Sequence, residues 1–203
     1  MYTYSMRTKS FDSVNTGVLD KVIWHMRATQ IRKSLPRSVE TVADFGCGNS
    51  APLLQALIEK GVVKKAVGID LDPDFSTETD RLTLHKANLN KLLPLQDNSL
   101  DAALSLATLE HLDEPDLHLR EIHRALKPNG ILLLTTPSPL GKPVLEFLAY
   151  RLKIIDRREI EDHRQYFNSA MLETSLERAG FAPSAISART FQFGMNNIVI
   201  ACK

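Results

Sequence analysis

At 203 residues the chain has the length of one domain built around one continuous core. Hydrophobic residues at 43% and charged residues at 24% are ordinary for a globular protein and argue against disorder. Lysine and arginine total 25 against 24 acidic residues; the net charge of +1 gives no broad positive footprint for a phosphate backbone, so nucleic acid is not an expected partner. Cys47 and Cys202 form no CxxC pair, and no His/Cys cluster stands at metal-ligand spacing along the chain, so neither a disulfide framework nor a metal site is expected. Apolar runs such as Ile131 to Leu134 fall far short of the roughly 20 residues that cross a bilayer, and Met1 to Ser10 lacks a signal-peptide apolar region, so the expected location is cytoplasmic.

Taken in order, apolar residues recur at helical spacing from Val18 to Leu35 and Pro36 ends the run, which predicts an N-terminal helical extension over residues 1–38. Glu40 to Phe45 reads as a buried strand, Ala51 to Lys60 as a helix closed by Gly61, and Lys65 to Asp70 as a second strand. Strands follow at Arg81 to Lys86, Leu100 to Leu106 and Gly130 to Thr136, with a helix over Pro115 to Leu126. Alternating strands and helices predict an α/β, doubly wound, mostly parallel sheet. Pro137 to about Gln165 is irregular and charged, and residues 137–168 are expected to form a lid over the site. A helix over Ala170 to Ala179 and two strands, Ala185 to Phe193 and Asn197 to Cys202, close the chain with an antiparallel β-hairpin.

Two elements carry chemistry at the carboxyl ends of the first two strands. Asp44-Phe45-Gly46-Cys47-Gly48-Asn49-Ser50 sets an acid at a strand end and two glycines in the turn before a helix, where free N–H groups suit a carboxylate and a ligand can approach the backbone. Asp70 ends the next strand about 20 residues on, the position from which an acid takes both ribose hydroxyls of a nucleoside. A tight structural turn and an Asp72-Pro73 cap account for parts of the same pattern.

Asp44 to Ser50, Asp70, Asn88 to Asp101, Leu126-Lys127-Pro128-Asn129-Gly130 and the terminal hairpin together resemble class I S-adenosylmethionine-dependent methyltransferases, over about residues 40 to 203. The resemblance implies a seven-stranded Rossmann-like sheet with a reversed last strand, and S-adenosylmethionine as cofactor. It further implies that Asp44, Gly46, Cys47 and Gly48 surround the methionine moiety, Asp70 holds the ribose, Leu71 packs on the adenine face, and Asn88 with Leu89 forms the adenine edge. Leu106 would flank the sulfonium. Two departures stand out: Asn88 replaces the usual aspartate but keeps an accepting carbonyl, and Ser50 replaces a third glycine while offering a helix-capping hydroxyl.

For the acceptor side, Leu109-Glu110-His111-Leu112 follows the fourth strand and resembles a run found in small-molecule members of the family, which makes Glu110 and His111 candidates and His111 a chemically reasonable base. Bracing of the helix near Asp113 and Pro115 is an equal account of both. His163, in Asp162-His163-Arg164-Gln165-Tyr166-Phe167, is the rival base or else a structural tie, and Lys142, Arg157 and Arg158 are candidates to meet an anionic acceptor. No Asn/Asp-Pro-Pro-aromatic run follows the fourth strand, so base methylation is disfavoured. The expected activity is methyl transfer to an oxygen or nitrogen of a small-molecule, sugar, glycan or lipid-type acceptor. An inactive S-adenosylmethionine-binding module and, less favoured without GxGxxG spacing, a nicotinamide-dependent oxidoreductase are the alternatives.

Overall fold

The computed structural model describes Leu35, residues 39–144 and residues 162–203. The expected N-terminal helix and the middle of the expected lid lie outside the described residues.

The described residues form β1 (Val39–Phe45), α1 (Pro52–Glu59), β2 (Val63–Asp70), β3 (Leu82–Lys86), β4 (Leu100–Leu106), α2 (Pro115–Ala125), β5 (Leu126–Pro137), α3 (Ser169–Ala179), β6 (Ile186–Phe191) and β7 (Asn196–Cys202). Together the strands make one sheet in the order β3-β2-β1-β4-β5-β7-β6. The first five run parallel, and β7 is antiparallel to both β5 and β6. This is the doubly wound, mostly parallel sheet with a reversed hairpin that the alternating pattern predicts.

The central strands β4, β5 and β7 are buried on both faces along most of their length and are correspondingly apolar, whereas β3 and β6 at the sheet edges keep exposed polar residues. Alternation decides which core each residue joins. Ala43, Phe45, Ile69, Leu132 and Leu134 pack with α2 and α3, whereas Val42, Ala66, Leu104 and Leu133 pack with Leu54 and Leu57 of α1. Leu35 is buried in the second of these cores. His118 of α2 is wholly buried, with its ring edge-on to Phe45 and its Nε2 3.2 Å from Ser105 Oγ. Burial pulls its imidazole down to about 3, so it is a neutral core group and not a base.

Several boundaries differ from the sequence reading, each for a local reason. β5 begins at Leu126, directly after α2, instead of at Gly130. Leu100 pairs with Leu126, but Ala102 pairs with Ile131, so the Lys127-Pro128-Asn129-Gly130 turn is carried as a register shift within the strand pair. The hairpin turn comes earlier than expected because Gln192 and Phe193 adopt positive φ, ending β6 at Phe191. Ala51, one residue after Ser50, occupies the N-cap position of α1, with no side-chain cap hydrogen bond there. Asp72 is not the capping acid; Asp74 accepts from Ser76 N at 3.0 Å and starts the turn over Phe75–Thr77.

α3 has the orthodox start that α1 lacks, since Asn168 Oδ1 accepts from Met171 N at 2.9 Å. Replacing Asn168 with alanine is expected to lower unfolding stability by about 1 kcal/mol, read from the denaturant midpoint at unchanged slope.

Candidate active site

The chain runs from β1 through β2 to β3 on one side and then returns to β4 and β5 on the other, so the order reverses between β1 and β4. Ligands of open α/β sheets bind outside the carboxyl ends of the strands at that point. Thr108 stitches the two ends together: its hydroxyl stands 3.0 Å from Phe45 O and 3.2 Å from Leu106 O. The sequence reading missed Thr108, because nothing in its local pattern indicates a partner 63 residues away.

The glycine loop is tied down by its own backbone. Gly46 N and Cys47 N donate to Ile69 O at 2.8 and 3.3 Å, and Gly48 N donates to Asp70 Oδ2 at 2.9 Å. These three N–H groups are therefore committed to β2. Gly46 and Gly48 both need positive φ, +82° and +75°, but their surroundings differ. A Cβ at Gly46 would lie 2.6 Å from Thr108 Oγ1, whereas a Cβ at Gly48 would meet nothing within 4 Å. Gly46 serves the join to β4; Gly48 leaves the open side of the loop. Cys47 is buried with Sγ turned toward Gly68, and burial, then Asp44 and Asp70, push its thiol well above the usual range, so it packs and is no nucleophile.

Two acids face each other across this loop. Asp44 is only 4% exposed, and desolvation first, then the charge of Asp70, raise its carboxyl to about 7. Asp70 is half-buried and fixed by two backbone donors: Oδ2 takes Gly48 N and Oδ1 takes Asp72 N at 3.3 Å. Each oxygen keeps a further lone pair, so the carboxylate is oriented and still able to accept from vicinal hydroxyls.

Leu71 follows Asp70 and is half-buried. Beyond β3, Ala87 N donates to Asp70 O at 2.9 Å and brings Asn88 beside the same edge. Asn88 Oδ1 accepts from Asn90 N at 2.9 Å, and Leu89 is buried. Leu106 ends β4, half-buried, and Ala107 takes φ +52°. Asp44, Gly46, Cys47, Gly48, Asp70, Leu71, Asn88, Leu89 and Leu106 thus lie along one edge of the sheet.

The three candidates for the acceptor side come together as well. Glu110 and His111 lie in a turn after β4, His163 lies 52 residues on, and a ligand atom from each falls within 4.8 Å of the others. The His111 and His163 ring centroids are 4.9 Å apart. Glu110 is 1% exposed, and its Oε2 accepts from Thr136 Oγ1 at 3.1 Å. His111 Nδ1 lies 3.3 Å from Asp162 O, and His163 Nδ1 lies 3.0 Å from Tyr166 Oη. Arg164 N donates to Glu110 O at 2.8 Å, closing the two segments on each other. Burial lowers the His163 imidazole from its ordinary value, against the opposing charge of Asp162.

The start of α2 is braced by Asn90, its Oδ1 accepting from Asp113 N at 2.8 Å and Glu114 N at 2.9 Å. The sequence spacing concealed the cluster and the supporting Tyr166 and Thr136, because its members come from separate segments. Lys142 Nζ stands 5.5 Å over the Tyr166 ring; Arg157 and Arg158 lie outside the described residues.

A doubly wound sheet with a reversed last strand, a glycine loop at the switch point and an oriented acid on the next strand define a nucleoside-binding Rossmann-like domain. The family described as "Methyltransferase domain" matches residues 43–134. A probable S-adenosylmethionine-dependent methyltransferase of Mycolicibacterium smegmatis is 25% identical over 81% of this chain and 62% of its own length. The malonyl-[acyl-carrier protein] O-methyltransferase of Laribacter hongkongensis is 29% identical over 89% of this chain and 65% of its own. This chain therefore spans somewhat under two thirds of the length of these relatives. In fold, a crystal structure of an S-adenosylmethionine-dependent methyltransferase from Mesorhizobium loti superposes with a TM-score of 0.67 at 19% identity, covering 86% of this chain and 96% of that one. The family match over residues 43–134, the two relatives and the shared fold support a class I S-adenosylmethionine-dependent methyltransferase.

The contrast between the two loop glycines has a direct consequence for stability. Gly48→Ala is expected to cost about 1–2 kcal/mol, the penalty of left-handed backbone alone, while Gly46→Ala adds the collision with Thr108 and lowers the melting temperature further. Equal losses would contradict the role assigned to Gly46.

Proposed function

We propose that this protein transfers a methyl group from S-adenosylmethionine to an oxygen or nitrogen of a small-molecule, sugar or lipid-type acceptor. The observation that carries the reading is the convergence of two groups of residues on one sheet edge: the Asp44 to Gly48 loop with Asp70, and the Glu110, His111 and His163 cluster beyond β4. The M. smegmatis and L. hongkongensis relatives support the activity class, and the second also supports an oxygen acceptor.

The residues present suit this cofactor. Gly48 leaves room for a ligand to approach the backbone, and Asp70 holds unused lone pairs on both oxygens for the ribose hydroxyls. Leu71 offers an apolar face to the adenine, with Asn88 and Leu89 at its edge. Asn88 Oδ1 already accepts from Asn90 N, so it would accept from the adenine amino group through its second lone pair. Asp44, Gly46, Cys47 and Gly48 surround the methionine moiety, and Leu106 flanks the sulfonium. When bound, the cofactor supplies an electrophilic methyl group on a positively charged sulfur.

The protein's own contribution is alignment and charge. A rigid loop and a fixed Asp70 hold the donor in one orientation, which accounts for much of the rate in a direct displacement. Asp44, ionised, offsets the amino group of the methionine moiety. The Glu110, His111 and His163 cluster is the group assigned to the proton that an acceptor oxygen or nitrogen gives up.

Because burial and Asp70 set Asp44 near 7, a cationic ligand must displace its proton at lower pH. A carboxyl raised from its unfolded value favours the folded state at low pH and loses that advantage as pH rises through about 7; bound cation restores it. Cofactor affinity measured by calorimetry is expected to weaken by about tenfold per pH unit below 7, level off above it, and become flat in Asp44→Asn. For the cluster, His163→Ala is expected to leave cofactor affinity within about twofold while lowering turnover by about 10²-fold or more. Turnover is read as S-adenosylhomocysteine release over a panel of hydroxyl, amine and acyl-carrier acceptors; unchanged turnover removes His163 from the chemistry.

A further inference from the structure

Sequence spacing gives no sign of a metal site, yet Glu110, His111 and His163 meet as two imidazoles and a carboxylate with ligand atoms within 4.8 Å of one another. We propose that these three side chains form a divalent-cation site, and that the cation takes the acceptor's oxygen as a further ligand. The inference rests on the methyltransferase reading only for that last part; binding of the cation stands on the cluster alone.

Three features distinguish the cluster from a chance meeting of polar groups. The donor set is the two-histidine, one-carboxylate combination that suits zinc, iron(II), manganese(II) and cobalt(II), and it leaves coordination positions open. Each donor also has an outer partner of the kind that orients metal ligands. His111 Nδ1 faces the Asp162 carbonyl at 3.3 Å, which fixes that nitrogen as the N–H and turns the lone pair of Nε2 outward. His163 Nδ1 is held by Tyr166 Oη at 3.0 Å, and Glu110 Oε2 by the buried Thr136 hydroxyl at 3.1 Å. Finally, Glu110 is 1% exposed, so its carboxyl group is held in place beside the two imidazoles.

Separations up to 4.8 Å exceed the spacing of about 3.3 Å between ligands on tetrahedral zinc, so the side chains draw in on loading. That movement is within reach of side-chain rotation, because His111 and His163 are only half-buried. Both segments are joined through the Arg164 N to Glu110 O bond, so the ligands shift without the backbone separating.

With the ion in place the site carries a net positive charge and favours an acceptor with a hydroxyl or carboxylate oxygen. A metal-bound hydroxyl has a lowered pKa. Its proton leaves to water, the freed oxygen pair forms the new bond to the methyl carbon, and the sulfur–methyl bond breaks with its pair remaining on sulfur. The cation then does the work that an imidazole base would do, and neither histidine changes its protonation.

The test uses the full chain, stripped with chelator and titrated with cobalt(II) chloride under visible spectroscopy. One equivalent should bind, giving the d–d bands of a nitrogen- and oxygen-ligated ion, and zinc(II) should displace it. His111→Ala, His163→Ala and Glu110→Gln should each weaken cobalt binding by at least about tenfold, while His85→Ala on β3 leaves it unchanged. Glu110→Gln keeps the side chain's size and its acceptor for Thr136, so its loss of cobalt with cofactor binding intact marks a ligand and not a folding defect. Absence of the bands in the wild-type chain, or bands that survive the histidine substitutions, overturns the proposal. Failure of S-adenosylmethionine to bind would overturn the methyltransferase reading and leave the cobalt result standing.

Discussion

The site depends on one hydrogen bond, from Gly48 N to Asp70 Oδ2 at 2.9 Å. It fixes the glycine loop to the end of β2, orients the acid, and brings two carboxylates close enough that Asp70 helps hold Asp44 near 7. Such a pair is costly by itself, since burial and the neighbouring charge favour a proton on Asp44. It becomes favourable when a ligand brings positive charge to one acid and hydroxyls to the other. On the proposed reading, a cationic nucleoside is the ligand that satisfies both acids.

The remaining edge follows from the reversal of strand order. Thr108 bridges β1 and β4 at the reversal, and its side chain lies where a Cβ at position 46 would come within 2.6 Å of it. Just beyond Thr108 the chain turns through Glu110 and His111, so the distance between the glycine loop and the Glu110, His111 and His163 cluster is set by the same two strand ends. The segment from Asp162 closes over that turn through Arg164 and His163. Reversed strands β6 and β7 continue the sheet on the far side, and Asn197 of β7 anchors the start of α3 by donating to Phe167 O at 2.7 Å. Among the described residues no helix is long and apolar enough to cross a membrane.

Much of this was legible in the sequence because it is written locally. Strand periodicity, the glycine turn, Asp70 and the terminal hairpin each have a pattern that a short window reveals, and their order along the chain defined the sheet. What escaped was set by contacts between distant segments. Thr108 looks like any polar residue until it meets Gly46, and Asn90 gives no hint that it starts α2. Ser50 and Asp72 carry good local capping chemistry, yet the backbone placed Ala51 and Asp74 in those positions. His111 and His163 read as rival bases because sequence ranks candidates one at a time; the fold joins them in one cluster with Glu110.

The central claim is that the loop and Asp70 hold S-adenosylmethionine. Calorimetric titration of the wild-type chain and of Asp70→Ala, each against S-adenosylmethionine and against NADH, tests it most directly. The account predicts one S-adenosylmethionine per chain, loss of that binding in Asp70→Ala, and no NADH binding. NADH binding without S-adenosylmethionine binding, or cofactor affinity that Asp70→Ala leaves unchanged, would contradict it.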